Sequence, residues 1–131
     1  MKGLIYWFEK KRVVSWVIFF CIAISIFYLS SLSSFGSQGI TGTGHLSIIY
    51  HIMAFFFLNF FLLFALVYGK KKKFIIVAIF ISILYGISDE IHQLFVPGRS
   101  SAFFDIMLNN TGIFFSTSFY IISLINRNNK L

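Results

Sequence analysis

The residues of this chain that could do chemistry are ionisable side chains inside long apolar runs. Asp89, Glu90 and His92 lie near the end of one such run, and His51 and Asp105 lie near the starts of two others. Carboxylates and imidazoles can act as general acids and bases, and they can bind metal ions or polar ligands. A charged residue at the centre of a membrane span costs about 2.5 to 3.5 kcal/mol, so it usually has a function or a partner.

The spacing of these residues predicts that they lie in one layer. At 1.5 Å per residue, Asp89 stands roughly 22 Å from Phe74, where its run begins. In a hydrocarbon core of about 30 Å, this puts Asp89 at the level of His51 and Asp105. We therefore predict one polar pocket near a membrane face, with ten candidate residues: His51, Tyr85, Ser88, Asp89, Glu90, His92, Gln93, Arg99, Asp105 and Asn109.

Helical periodicity predicts which faces of the helices carry this pocket. Residues three, four or seven positions apart lie on one helix face. Three such stripes are expected to face inward: His51, Phe55 and Asn59; Tyr85, Asp89, His92 and Val96; and Asp105, Asn109, Gly112 and Ser116. Glu90 is expected about 100° round the helix from Asp89, beside Gln93.

Arg99 follows the Pro97-Gly98 turn and precedes the fourth apolar run. A cation is unfavourable at the positive start of a helix unless an anion is near. One resolution is an ion pair with Asp89 or Glu90 across the turn. The other is an anion such as a phosphate headgroup, bound by Arg99 and the free amides of the helix start. Arg99 is thus the predicted anion-binding residue.

Structural explanations exist for each of these groups. The three histidines, including His45, can be interfacial residues, and the stripe beginning at Asp105 can be a polar contact between helices. The acidic pair and Arg99 can be a structural salt-bridge cap. The chain has no H-x3-H or CxxC pattern, so we expect no metal and no cofactor. A Ser-His-Asp hydrolase would have only Ser88 or Ser100 nearby, and the catalytic residues stay unassigned.

The composition indicates that a membrane surrounds these residues. Of 131 residues, 58% are hydrophobic and 11% are charged, whereas about 25% are charged in a typical soluble domain. This excludes an ordinary soluble enzyme and a disordered tail, and the single cysteine, Cys21, excludes an internal disulfide. The apolar runs cover about 13–29, 46–68, 74–95 and 102–125, each near the roughly 20 residues of a spanning helix. We predict an all-α integral membrane bundle of four transmembrane helices in one domain, 1–131.

Basic residues predict the orientation of this bundle. Ten of the eleven Lys and Arg residues lie in the two termini or in the Lys70–Lys73 loop, and such residues favour the cytoplasmic side. We predict both termini inside, a multi-pass protein of a prokaryotic plasma membrane, and the pocket in the outer leaflet.

The basic residues that give the net charge of +7 do not form a surface in which they alternate with aromatic residues, so no nucleic-acid partner is expected. Glu9 is expected to be solvated. The alternative for the first run is a cleaved signal peptide.

The stretch from Tyr85 to Gly112 reads YGISDEIHQLFVPGRSSAFFDIMLNNTG. It resembles the VanZ-like family of small bacterial membrane proteins, whose signature is an S-D-E-x-H-Q-x-F-x-P-G-R core followed by D-x-x-x-N spacing and a glycine. His51 is similar to the histidine of the family's second-helix motif, although Ile48 stands where that motif has a basic residue. The resemblance implies a four-helix membrane fold, a cell-envelope context and a link to teicoplanin susceptibility, but no reaction.

These observations lead to one functional expectation and two alternatives. We expect a VanZ-like envelope protein whose outer-leaflet pocket binds an anionic lipid or cell-wall headgroup and so lowers susceptibility to teicoplanin-type antibiotics. Its partners would be membrane lipids and a cell-wall precursor or lipid headgroup, while the oligomeric state stays open. The alternatives are a membrane enzyme acting on a lipid-linked envelope substrate and a structural or accessory subunit. The sequence offers no nucleophile motif, so the enzyme is the less favoured function.

Overall fold

The structure, a computed structural model, describes residues 2–32, 45–67, 71–99 and 103–128. These residues form five helices and no strand: α1 (Lys2–Lys10), α2 (Arg12–Ser30), α3 (His45–Leu66), α4 (Phe74–Gln93) and α5 (Phe103–Asn128). The predicted all-α class is confirmed. The sequence predicts a helix end at Gly69, a helix start at Ser100 or Ser101, and a Ser/Gly-rich loop over 30–44. The three cap residues and most of this loop lie outside the described residues.

Helices α2 to α5 correspond to the four apolar runs, whereas α1 was not predicted. Within the described ranges, α2, α3 and α4 are long and apolar enough to cross a membrane. The fourth expected span, α5, has 26 residues, which is ample length at about 1.5 Å per residue. Its inward polar stripe makes α5 less apolar than α2, α3 and α4. Length and composition therefore identify three membrane spans among the described helices, and the prediction was four.

Helix α3 is the centre of the bundle, because it packs against each of the other four helices. Phe55, Leu58 and Leu62 are fully buried on it, at the spacing of one helix face. The outer faces of the other helices carry exposed apolar side chains such as Phe20, Phe80 and Phe114. Lipid chains solvate such a surface at no cost, which is consistent with a membrane location.

A buried polar network holds α3, α4 and α5 together at mid-height. The Asn59 amide nitrogen donates to the Ser116 hydroxyl at 2.6 Å and to the Thr117 hydroxyl at 2.9 Å. The Ser82 hydroxyl donates to the Asn59 amide oxygen at 3.1 Å. All four residues are buried, so the inward orientation predicted for Asn59 and Ser116 is confirmed.

Gly112 permits the close crossing of α3 and α5 that positions the site. A Cβ atom at Gly112 would lie 2.2 Å from the Ile52 carbonyl oxygen and 2.9 Å from the Phe56 amide nitrogen. Only glycine fits where two backbones approach so closely. Asn109 lies almost one turn before Gly112 on α5, and His51 directly precedes Ile52 on α3. The crossing therefore brings Asn109 and His51 to the same level.

Glu9 is buried, contrary to the expectation that it is solvated. It is 3% exposed. One carboxylate oxygen accepts a hydrogen bond from the Tyr120 hydroxyl at 2.7 Å, and the other pairs with Arg127 at 2.7 Å. The expectation was wrong because α1 folds against the bundle, where the Phe8 ring stacks on Phe64 with centroids 5.7 Å apart.

Candidate functional site

His51, Glu90 and Asp105 form the centre of the site, one residue from each of α3, α4 and α5. One ligating atom from each residue lies within 4.8 Å of the others. His51 and Glu90 are buried, and Asp105 is half-buried at the rim. The three helices therefore bring ionisable groups together, and the acidic residue that α4 contributes to this centre is Glu90.

Asn109 orients the His51 ring. Its amide oxygen lies 3.0 Å from the Nδ1 atom of His51. An amide oxygen only accepts hydrogen bonds, so Nδ1 carries the proton of the neutral ring, and the lone pair lies on Nε2. Nε2 lies on the side of Asp105, 3.9 Å from its Oδ1 atom. The Asn109 contact thus turns the Nε2 side of the ring towards the carboxylate.

A second acidic group adjoins the first on α4. The Gln93 amide nitrogen donates to Asp89 Oδ2 at 3.0 Å and lies 3.5 Å from Glu90 Oε1. Asp89 is 5% exposed, and its other oxygen, Oδ1, is buried with no hydrogen-bond partner among the described residues. Asp89, Glu90 and Gln93 are therefore one buried polar segment at the end of α4.

Two of the predicted pocket residues on α4 face α2 instead of His51. The Tyr85 hydroxyl donates to the Ala23 carbonyl oxygen at 2.6 Å. The His92 ring stacks on Phe27 with centroids 4.6 Å apart, and its Nε2 atom lies 3.0 Å from the Ser31 hydroxyl. The predicted stripe from Tyr85 to Val96 is thus split between two sides of the helix.

The rotation of α4 explains this split. The buried residues Ser82, Gly86 and Glu90 follow one another at four-residue spacing, and this face meets α3 and α5. A helix turns by about 100° per residue, so Tyr85 and His92 point towards α2. Ser88 is exposed, and its hydroxyl donates to its own helix at the Tyr85 carbonyl, 2.8 Å away. It therefore lies outside the group around His51 and offers no nucleophile to it.

Arg99 contacts the end of α2, a partner that the sequence did not suggest. Its Nη2 atom donates to the Leu29 carbonyl at 2.8 Å and its Nε atom to the Ser30 carbonyl at 3.2 Å. These carbonyls lie at the negative end of α2, where a cation is favourable. The turn from Val96 to Arg99 positions the side chain, because Gly98 adopts a φ of 82° after Pro97, as a type II turn requires.

An apolar groove lies between α2 and α3, and one of its lining residues, Leu29, binds this arginine through its carbonyl. It has a volume of about 290 Å³. Along α2 it extends from Ile18 to Leu29, whose carbonyl accepts the Arg99 hydrogen bond, and Tyr50 and Ala54 of α3 form its other side. Sequence reasoning missed Tyr50, although it is an aromatic residue adjacent to His51, and it missed the Leu29 carbonyl, because backbone acceptors leave no signal in a sequence.

Comparison with known proteins gives one family match. The profile of the family described as VanZ/LLP1 matches residues 16–125. The matched range includes α3 and α4, most of α2 and α5, and all ten candidate site residues. No curated protein and no solved structure gives a significant match.

Proposed function

This chain belongs to the VanZ/LLP1 family, and from that premise we propose that it is a multi-pass protein of the bacterial cell membrane that binds an anionic lipid or cell-wall headgroup. The observation that carries this proposal is the position of Arg99 at the end of the apolar groove. A lipid has an acyl chain that fits the groove and a charged headgroup that suits the polar end.

The dimensions of the groove support a lipid as the ligand. Ile18 and Leu29 are eleven residues apart, which is roughly 16 Å along α2. This is about half of a 30 Å hydrocarbon core, the depth of one leaflet. Tyr50 lines the groove, and Asp89 and Arg99 lie close enough for their charges to act on its hydroxyl, so a headgroup beside Tyr50 would meet a cation together with hydrogen-bonding groups.

The proposed topology has four spans and both termini in the cytoplasm. Helix α5 is the fourth span, since α3 and α4 shield its polar stripe from lipid. Lys71, Lys72 and Lys73 are exposed at the end of the bundle opposite Arg99, where the positive-inside rule favours the cytoplasm. The site around His51 then lies in the outer leaflet, within reach of cell-wall precursors.

Binding at this site would lower susceptibility to teicoplanin-type antibiotics by changing which envelope lipid or precursor is accessible at the outer surface. The basis is the family resemblance together with the outward position of the site. The partners in this proposal are membrane lipids and a cell-wall precursor.

Native mass spectrometry in mild detergent tests the proposal. The wild-type chain is expected to retain an anionic phospholipid or a cell-wall lipid, and Arg99→Ala is expected to lose it. Arg12→Ala is the matched control, because Arg12 Nε donates to the Ala65 carbonyl near the end of α3 at 3.0 Å, an equivalent contact at the opposite end of the bundle.

The outcomes separate the candidate functions. Equal lipid retention by Arg99→Ala and the wild type, with unchanged teicoplanin susceptibility, would contradict headgroup binding. If Arg99→Ala and Arg12→Ala lower thermal stability alike and neither changes the bound lipid, an accessory structural role explains the polar residues better.

A second candidate function, a membrane enzyme acting on a lipid-linked substrate, is favoured by the proximity of His51, Glu90 and Asp105. An imidazole and two carboxylates within 4.8 Å are suited to proton transfer. This function predicts that Glu90→Gln and His51→Gln each change the cellular lipid profile in the same way as gene deletion, while the exposed-site variant Ser88→Ala does not. A lipid profile unchanged by gene deletion would exclude it.

A further inference from the structure

We propose that His51, Glu90 and Asp105 bind a divalent transition-metal ion, with Mn²⁺ and Zn²⁺ as the ions that suit the donor set. Imidazole favours zinc and its neighbours, and carboxylates favour manganese and harder ions. The sequence carries no metal pattern because the three ligands come from three helices. The inference is independent of lipid binding, since it concerns the group around His51 and not the groove.

The distances between the ligating atoms fit an ion after a small closure. Metal–nitrogen and metal–oxygen bonds of about 2.0 to 2.2 Å place two ligands of one ion at most about 4.3 Å apart. His51 Nε2 and Asp105 Oδ1 are 3.9 Å apart, and the whole set spans 4.8 Å. The span exceeds that limit by only about 0.5 Å, so a small adjustment of the ligand side chains would close the site on an ion.

The His51 ring supplies an independent observation that points to a ligand. It is only 4% exposed, yet the distance from Nε2 to Asp105 is beyond hydrogen-bond length. Nε2 faces the Asp105 carboxylate across a gap of 3.9 Å, which an ion bound to both atoms would fill. An imidazole nitrogen in this position can bind a metal ion together with the carboxylate.

Asn109 provides the support that a metal-binding histidine usually has. Such histidines donate their other ring N–H to an oxygen, which fixes the tautomer and the ring orientation. His51 has such a support, because its Nδ1 atom lies 3.0 Å from the Asn109 amide oxygen. Asn109 is 1% exposed, so its position is fixed by packing.

The two carboxylates also favour a cation between them. Glu90 and Asp105 bring two carboxylates within 4.8 Å of each other, and a divalent ion held between them is attracted by both. The side chain of Asp105 is 19% exposed, which leaves an entry path from the membrane surface.

Metal binding is tested on protein purified in mild detergent, depleted of lipid, treated with EDTA and then freed of the chelator. Equilibrium dialysis against MnCl₂ or ZnCl₂, followed by elemental analysis, is expected to give about one ion per chain, which is the stoichiometry of a single three-ligand site. Electron spin-echo spectroscopy of bound Mn²⁺ is expected to show coupling to one imidazole nitrogen.

Substitutions of the three ligands and of Asn109 test where the ion binds. Asn109→Ala is expected to weaken binding about 10- to 100-fold, as loss of a supporting residue does, and Glu90→Gln, Asp105→Asn and His51→Gln by more. The His51 variant also loses the nitrogen coupling. His92→Gln and Glu9→Gln are the controls, a histidine of α4 that contacts α2 and a buried carboxylate at the opposite end of the bundle, and are expected to keep wild-type affinity.

A wild-type chain that takes up neither ion overturns the proposal, whatever the variants do. So does full affinity in folded Glu90→Gln and Asp105→Asn, or equal losses in the matched controls. Because the measurement uses lipid-depleted protein, its failure leaves lipid retention by Arg99 unaffected, and failure of the lipid test leaves the metal measurement unaffected.

Discussion

At the scale of single residues, His51, Arg99 and Glu9 each take a partner from another helix. His51 contacts Asn109 of α5, Arg99 binds the end of α2, and Glu9 binds Arg127. Lipid cannot hydrogen-bond a polar group, so a polar side chain inside the bundle must find its partner in the protein. These pairs therefore fix how neighbouring helices face one another.

Glu9→Gln is expected to destabilise the protein by about 2 kcal/mol, between the roughly 0 to 1 kcal/mol of exposed ion pairs and the roughly 3 to 5 kcal/mol of fully buried ones. The intermediate value is expected because the Glu9 side chain is 4% exposed and the Arg127 side chain is 30% exposed. Glutamine keeps the shape and the Tyr120 hydrogen bond but loses the charge. Unfolding in detergent, followed by circular dichroism, measures the change.

Lys10→Gln is the control for Glu9, because Lys10 is the exposed neighbour on α1, and it should leave stability unchanged. A double-mutant cycle with Arg127→Gln isolates the pair. A coupling energy near zero would show that Glu9 contributes through packing alone.

At the scale of helices, the crossing of α3 and α5 determines the geometry of the site. Gly112 lets the two backbones touch, and Asn109 and Asp105 follow on the same face towards the start of α5. The residues that reach His51 are thus set by one glycine contact. The Asn59 network below this crossing holds α3, α4 and α5 in register.

Gly112→Ala is expected to destabilise the bundle by about 1 to 3 kcal/mol, the usual cost of overpacking, and to separate His51 from Asn109. The added Cβ would meet backbone atoms of Ile52, which cannot move alone. Gly86→Ala is the matched comparison, because its Cβ would lie 3.1 Å from the end of the Phe55 ring, which can shift. Thermal unfolding of both variants measures the difference, and equal losses would argue against a backbone contact at Gly112.

At the scale of the whole molecule, each end of the bundle has an arginine that binds the carbonyl end of a neighbouring helix. At one end, Arg12 binds the end of α3, and Glu9 of α1 pairs with Arg127 of α5. At the other end, Arg99 binds the end of α2 beside the groove and the acidic residues. Among the described residues, this second end places a groove beside the group of His51, Glu90 and Asp105, so we expect function there.

Cysteine labelling tests the proposed orientation of these ends. In a Cys21→Ser background, Pro97→Cys is expected to react with a membrane-impermeant maleimide in intact cells, because the turn before Arg99 is exposed and predicted to lie outside. Lys72→Cys is the matched probe on the other side and is expected to react only after permeabilisation. The reverse pattern would invert the topology and move the site to the inner leaflet.

The sequence by itself was sufficient for the all-α class, the membrane location and the family. Composition limits the fold because only helices satisfy the backbone within a lipid-facing chain of this size. Periodicity gave the inward faces of α3 and α5, since His51, Asn59, Asn109 and Ser116 are buried. Motif spacing identified the residues from which the central group is drawn.

Only the tertiary structure decided which of those residues meet. The rotation of α4 depends on how its Gly86 face packs, so Glu90 joins the central group while Tyr85 and His92 turn to α2. Arg99 donates to two backbone carbonyls, and every residue has a carbonyl, so no residue type marks these acceptors. The burial of Glu9 depends on contacts with Tyr120 and Arg127, more than a hundred residues away, and local sequence carries no information about contacts at that distance.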